Sequence, residues 1–349
     1  MKTTELSQQW QALLAEEPRL RIRDAAARLG VSEAELLVTR CGNGVTRLAG
    51  DWREFIKELP RLGRVMCLAR NEHAVHERYG VYREVGFFGG AHGMGQVVGP
   101  DIDLRLFMSH WHHGFAVEET TPEGVRRSFQ FFDADGTATH KVYLQPESNL
   151  DTYHELLEGY LSPDQEPTIA IVPPEPKPPV KPDAEINVEG FRAEWLTLRD
   201  THQFFVIMRK YGVDREQALR LAPEGYAWQV PVSSTRRMLE TASESDVPIM
   251  VFIGSAGCLQ IHTGPVKNIR MFGEEWLNVL DPEFNMHLRD TAVARAWVVR
   301  KPTHEGGVVT SLELFDGEGE NIALFFGARK PGELEDPRWA EIANGLDRL

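Results

Sequence analysis

The sequence predicts an α+β protein made by internal duplication, each half setting helices ahead of a large antiparallel β-sheet. Three observations predict it. First, the chain of 349 residues repeats itself at a nearly constant distance. Gly30-Val-Ser-Glu-Ala-Glu-Leu36 resembles Gly212-Val-Asp-Arg-Glu-Gln-Ala218, and Pro100-Asp-Ile-Asp-Leu104 aligns with Pro282-Glu-Phe-Asn-Met286, both displaced by 182 residues; Phe132-Asp-Ala-Asp-Gly136 aligns with Phe315-Asp-Gly-Glu-Gly319 at 183. Each match is weak alone, but a constant offset over three separated stretches marks a repeat. Second, within a copy the pattern passes from helical spacing to short apolar and alternating runs. Third, eight prolines fall between Leu161 and Glu185, a semi-extended spacer. The predicted division is an N-terminal repeat over 1–160, a linker over 161–185 and a C-terminal repeat over 186–349, with the halves folding separately.

Taken in order, Arg21 to Leu37 reads helical, with Ser32-Glu-Ala-Glu35 forming a capping box after Gly30. From Val65 come the runs Val65–Leu68, Gly86–Gly89, Ile102–Met108, Gly114–Val117 and Phe129–Phe132. Asp133-Ala-Asp-Gly136 is a hairpin-type turn into a strand over His140–Leu144, and Thr152–Tyr160 closes the copy as a helix. The glycine-rich stretch Gly86–Gly95 reads as a flexible loop. After the linker, Asp200 can cap a helix that Gly212 ends, just beyond the basic pair Arg209 and Lys210.

Composition bounds the function. Hydrophobic residues at 42% and charged residues at 26% describe a soluble globular protein. The net charge of −14 argues against nucleic acid and against an anionic membrane surface. Three cysteines with no CxxC pair suit a reducing cytoplasm, the first ten residues hold no apolar signal core, and no run reaches spanning length. Val247–Ile253 is a buried strand. There is no GxSxG, P-loop, Rossmann fingerprint or HExxH.

The candidate site residues come next. At helical spacing His202, Phe205, Val206 and Arg209 share a face. Spacing leaves two readings open: a histidine on a core-facing helix, or an axial ligand in apolar walls. On the strand through Arg105, Leu104, Leu106 and Met108 face one way and Arg105, Phe107, Ser109 and Trp111 the other. That second face suits a solvated sheet surface, an interdomain surface or a flat aromatic ligand. The duplication filters these positions, since His202 falls opposite Leu20 and Arg105 opposite His287; neither is demanded by the repeat. His73, His76, His110, His112 and His113 supply further imidazoles, read as a solvated cluster or as a metal site.

Asp200-Thr-His-Gln-Phe-Phe205 followed by Val213-Asp-Arg-Glu-Gln-Ala-Leu219 resembles the signature of the HemS/ChuS/PhuS family of cytoplasmic haem-handling proteins. Asp101-Ile-Asp-Leu-Arg-Leu-Phe107, Trp297-Val-Val-Arg-Lys-Pro302 and Phe326-Gly-Ala-Arg329 are similar to family stretches in the same order. The resemblance implies haem b bound in a cleft between the halves, with His202 as proximal iron ligand, Arg105 distal and Phe107 beside it. It implies Arg215, Lys301 and Arg329 at the propionates. Phe326 departs from the tyrosine found in some members. His76 is implied as ligand to a second haem in some members. Two functions follow from the resemblance: a carrier that receives haem from an import system and passes it to a haem oxygenase, or a haem-degrading enzyme with Arg105 polarising oxygen and an external electron donor. A histidine–metal hydrolase using His73, His76, His110 and His112 is the outside alternative.

Overall fold

A computed structural model describes residues 3–90, 93–304, 307–330 and 333–349. The first copy runs α1 (Thr3–Glu16), α2 (Ile22–Leu29), α3 (Glu33–Val38), β1 (Val45–Leu48), α4 (Trp52–Glu58), β2 (Val65–Arg70), β3 (Ala74–Gly80), β4 (Val85–Phe88), β5 (Met94–Val97), β6 (Asp103–Phe107), β7 (His113–Thr121), β8 (Gly124–Phe132), β9 (Ala138–Leu144) and α5 (Leu150–Gly159). The second runs α6 (Val188–Leu196), α7 (Gln203–Tyr211), α8 (Arg215–Arg220), β10 (Ala227–Val230), α9 (Ser234–Glu244), β11 (Ile249–Gly254), β12 (Cys258–Gly264), β13 (Ile269–Phe272), β14 (Trp276–Asp281), β15 (Phe284–Arg289), β16 (Arg295–Pro302), β17 (Val308–Phe315), β18 (Asn321–Gly327) and α10 (Pro337–Asn344). The two successions match element for element, and the strands form two large antiparallel sheets. The α+β duplication read from the sequence is therefore the fold. The helices are not all ahead of the strands, however: α4 and α9 follow the first strand of each copy.

The local signals explain several boundaries. Ser32 accepts from the Glu35 N–H at 3.2 Å while Glu35 accepts from the Ser32 N–H at 2.8 Å, the capping box expected there. Gly30 is left-handed, so the predicted helix over 21–37 breaks into α2 and α3. The glycine-rich stretch is not a loop throughout; β4 and β5 pair Phe88 with Met94, and residues 91 and 92 lie outside the described residues.

The chain packs into two compact units that exchange short segments. One comprises Met1–Arg70, Glu77–Glu175 and Gly254–Gln260; the other Asn71–His76, Pro176–Ile253 and Ile261–Leu349. In the first unit the strand order is β1-β7-β8-β9-β2, with a β6-β5-β4 meander. Its core is aromatic: the Phe55 ring meets Phe129 at 4.9 Å and Phe131 at 5.3 Å, edge-on. Each such buried ring contributes roughly 1.5–3 kcal/mol by transfer. The segment Gly254–Gln260 is built into this unit. The Gly257 carbonyl accepts from the Phe107 N–H at 3.0 Å and the Trp111 indole at 2.9 Å, and Cys258 belongs to the apolar core.

In the second unit the order is β10-β16-β17-β18-β11, with a β15-β14-β13 meander. Asn71–His76 is equally integral. The Asn71 amide donates to the Ile322 carbonyl at 2.8 Å, the Arg289 N–H donates to the His73 carbonyl at 2.8 Å, and Ala74 lies in the core. A second apolar layer places α6 and α7, where Trp195 packs on Phe204 at 4.7 Å and donates to the Arg300 carbonyl at 3.0 Å.

The proline-rich segment is tied down at both ends, while residues 173–180 between them are exposed. The Arg47 N–H donates to Gln165 at 2.9 Å and its guanidinium bonds Asp164 and the carbonyls of Glu166 and Thr168. The Val172 N–H reaches the Ala134 carbonyl at 2.9 Å, and the Gln217 amide reaches the Lys181 carbonyl at 2.7 Å. Its ends are docked and its proline-rich middle runs exposed without regular secondary structure.

Candidate functional site

The turn ahead of α7 carries His202, and its local bonds fix how the imidazole is held. Gln203 turns back to accept from the N–H groups of Arg199 and Asp200 at 2.9 and 3.3 Å. The Asp200 carboxylate accepts from the His202 backbone at 2.7 Å and from its Nδ1 at 2.6 Å. Asp200 therefore caps a turn and not the helix. α7 begins at Gln203, His202 occupies the N-cap position, and Gly212 ends the helix in the left-handed region. The Nδ1 bond to Asp200 leaves Nε2 facing outward, and a carboxylate at one ring nitrogen is the arrangement that orients a histidine whose other nitrogen binds a metal. Burial pushes the Asp200 carboxyl up, but the His202 backbone and imidazole, with the Arg329 charge, more than reverse this and hold it below the usual range.

The core-facing reading of His202 is corrected. Its side chain is 87% exposed, and Phe205 and Val206 are 56% and 65% exposed. The opposite stripe, Phe204, Ile207 and Met208, packs inward. An imidazole, an aromatic ring and an aliphatic side chain thus form an open, largely apolar face with one potential metal donor.

Directly under that helix lies a charged cluster. Arg215 grips Glu313 by two bonds, Nε at 2.8 Å and one terminal nitrogen at 3.0 Å. Lys301 donates to the same carboxylate at 2.8 Å and Ser311 at 3.0 Å. The Arg215 guanidinium lies over Phe204 and Phe205 at 5.7 and 5.6 Å, and the Lys301 ammonium over Phe204 at 4.7 Å. Lys301 and Glu313 side chains are 3% and 0% exposed. Lys301, expected at a propionate, is instead committed to Glu313 beneath the surface; Arg215, at 17%, keeps an outlet. Burial alone would raise the Glu313 carboxyl, but Arg215 and Lys301 hold it at about 2. Its folded value lies below its ordinary one, so its contribution is complete above about pH 4.5 and is lost as pH falls towards 2. Urea unfolding between pH 5 and pH 2 should therefore lose stability more steeply in wild-type protein than in Glu313→Gln; parallel slopes would refute the coupling.

Arg105 and Phe107 lie on β6 in the first unit. Leu104 and Leu106 are buried, and Asp103, Arg105 and Phe107 are half-buried on the other face, as period two predicts. The guanidinium bonds Asp103 and the Leu104 carbonyl, leaving a third of the side chain exposed. Phe107 pairs with Met94, and Met94 with the exposed Phe88, giving an apolar row across the meander. Trp111 does not share this face. The strand ends at Phe107, a 3-10 turn follows over Met108–His110, and Trp111 is buried. Phe326 packs edge-on against Phe252 at 5.1 Å in the second unit.

The remaining histidines do not assemble a metal site. His110 and His112 bond one carboxylate, Asp133, at 2.6 and 3.1 Å in the first unit. His73 meets Asp316 at 3.6 Å in the second. His76 is fully buried with its ring 4.8 Å from Phe284, so the second-haem expectation fails on access. Among the described residues no group of three or more His, Cys, Asp or Glu could hold a metal ion. Among them, too, no helix is long and apolar enough to cross a membrane.

Two residues of this arrangement are not singled out by sequence: Asp200 reads as a helix cap, and Glu313 matches no motif. Glu313 had a signal: Ser311-Leu-Glu313 stands opposite Ser128-Phe-Gln130 at the repeat distance of 183, with a charge in the copy that carries His202.

Comparison with known proteins bears on this geometry. A family model for the haemin-degrading HemS.ChuX domain matches residues 30–160 and again 212–346. The hemin transport protein HmuS of Yersinia pestis is 37% identical over 340 residues, 96% of this chain and 95% of the relative. The structure of holo-PhuS, a heme-binding protein from Pseudomonas aeruginosa, superposes with a TM-score of 0.97 at 46% identity, covering 100% of both chains. The heme-degrading enzyme ChuS of Escherichia coli O157:H7 superposes at 0.89 with 35% identity, covering 99% of each.

Proposed function

This chain belongs to the haemin-degrading HemS.ChuX family, and from that premise we propose that it is a haem carrier of iron acquisition. Iron protoporphyrin IX is its cargo, received from an import system and delivered to a haem oxygenase. The observation that carries the reading is the exposed His202, tied at Nδ1 to Asp200 and set beside exposed Phe205 and Val206. Nε2 of His202 is the iron ligand, Phe205 and Val206 provide apolar wall, and Arg329 and Arg215 meet the propionates. Arg105 and Phe107 take the distal role that the family implies. An open ligand face suits uptake and release. Free Cys41, Cys67 and Cys258 suit the reducing cytoplasm.

Degradation is the second reading, favoured by the name of ChuS and by the Arg105 guanidinium, a charge-assisted donor able to stabilise developing negative charge on an oxygen ligand. In that reading dioxygen is the oxidant, bound haem would be the substrate and supply the iron at which oxygen is activated, and the electrons come from an external donor. One experiment separates the two. The loaded protein is given oxygen and reductant with catalase present, and haem loss and tetrapyrrole products are followed. The carrier reading expects negligible turnover and transfer to an acceptor oxygenase. Arg105→Ala should keep haem bound with an altered spectrum and change the transfer rate. Catalase-resistant turnover that Arg105→Ala slows by roughly ten- to a thousandfold would establish the enzyme instead.

A further inference from the structure

We propose that Glu313 is a positioning residue for carboxylate recognition: it holds Arg215 by one edge of the guanidinium, so that the remaining terminal nitrogen is presented to a propionate of bound tetrapyrrole. The inference rests on the haem-binding reading and assigns how its polar end is organised.

The geometry is a fork gripped from beneath. Nε and one terminal nitrogen of Arg215 are consumed by the two Glu313 oxygens at 2.8 and 3.0 Å. A guanidinium has five N–H donors in a fixed plane. Anchoring one edge therefore fixes the direction of the other, which a lone flexible arginine would not do. The rings of Phe204 and Phe205 complete the clamp. Two cations share one carboxylate, so the cluster keeps a local positive excess within a chain of net charge −14. A dianionic ligand approaching such a chain needs that excess.

The duplication separates this role from folding. At the repeat distance of 183, Ser311 and Glu313 correspond to Ser128 and Gln130. In the first unit the Gln130 amide donates to the Ser128 hydroxyl at 3.0 Å, and both residues are buried. The first copy thus carries a neutral amide at this position, and its acid stands instead at Glu33, paired with Lys141. The partners are particular to the second copy as well: at 182, Arg215 stands opposite Glu33, Phe204 opposite Ile22, Phe205 opposite Arg23 and Lys301 opposite Glu119. Acid, fork, ammonium and aromatic platform occur together in the copy bearing His202.

The test compares binding of hemin and of hemin whose propionates are esterified as methyl esters, using full-length wild-type, Glu313→Gln and Arg215→Lys proteins. Glu313→Gln keeps the shape of the side chain but leaves the buried Lys301 without its carboxylate, so each variant is first checked for a wild-type circular dichroism spectrum. Wild-type protein should prefer the free acid, and Glu313→Gln should narrow that preference about tenfold, the scale of one charge-assisted hydrogen bond, while keeping the histidine-ligated spectrum. Arg215→Lys, a point charge without a fork, should narrow it likewise and decides the matter if Glu313→Gln is poorly folded. A preference unchanged or widened in the variants, or equal loss of both ligands, would overturn the assignment of Glu313. Wild-type protein that takes up neither ligand would overturn the haem reading itself.

Discussion

Replacing His202 with alanine is expected to abolish the histidine-ligated haem spectrum and to weaken haem binding by more than the roughly 10–100-fold that loss of an outer-shell partner causes. The fold should be untouched. The imidazole is 87% exposed, its bonds are to Asp200 alone, and the equivalent position of the first copy is Leu20. Exposed substitutions of this kind usually change stability by less than about 0.5 kcal/mol. Urea unfolding of the apo-protein should therefore superimpose on wild type, while hemin titration shows no sharp Soret band. An alanine variant with the wild-type spectrum and affinity would remove His202 from the site.

Producing the two sequence halves as separate chains, divided between Pro173 and Pro179, is expected to leave neither folded alone. The proline-rich segment suggests halves that fold separately, but the contacts within each unit argue the reverse. Without Gly254–Gln260, the first unit loses the acceptor of the Trp111 indole and of the Phe107 N–H, and loses Cys258 from its core. Each orphaned buried donor costs about 1–3 kcal/mol, and the packing loss adds to that, against a typical total stability of about 5–15 kcal/mol. Without Asn71–His76, the second unit loses the Asn71 bond to Ile322, the His73 carbonyl under Arg289, and the Ala74 and His76 packing. Circular dichroism and amide spectra should show each half poorly ordered and the mixture regaining structure. Cooperative unfolding of an isolated half would sink the prediction.

Much of this architecture is legible from local chemistry. The capping box at Ser32, the left-handed Gly212 and the alternation from Asp103 to Phe107 follow from short-range rules, and the structure contains them. Longer-range competition decided the rest. α7 has two apolar stripes, Phe205 with Val206 and Phe204 with Ile207 and Met208, and periodicity cannot say which one finds a core. Trp195 and Phe191 claim the second. The alternation beyond Phe107 stops because the Met108 N–H bonds the Gly93 carbonyl and a tight turn follows. The resemblance implies Lys301 at a propionate; its commitment to Glu313 depends on two strands pairing in register, twelve residues apart. Where the family resemblance supplied His202, Arg105 and Arg215, it supplied positions but not the partners that hold them.

The exchanged segments also impose a timetable on synthesis. The first unit lacks part of its core until residues 254–260 have left the ribosome. At about 5–20 residues per second, the 85 residues from 175 to 260 take roughly 4–17 s to translate. Throughout that interval the emerging N-terminal portion has Trp111 without its acceptor and an unfilled place beside Cys67, His140 and Tyr82. A nascent chain of this kind is a client for whatever shields exposed apolar surface at the tunnel exit, and pausing along the proline-rich segment would lengthen that dependence rather than allow an early first domain to complete.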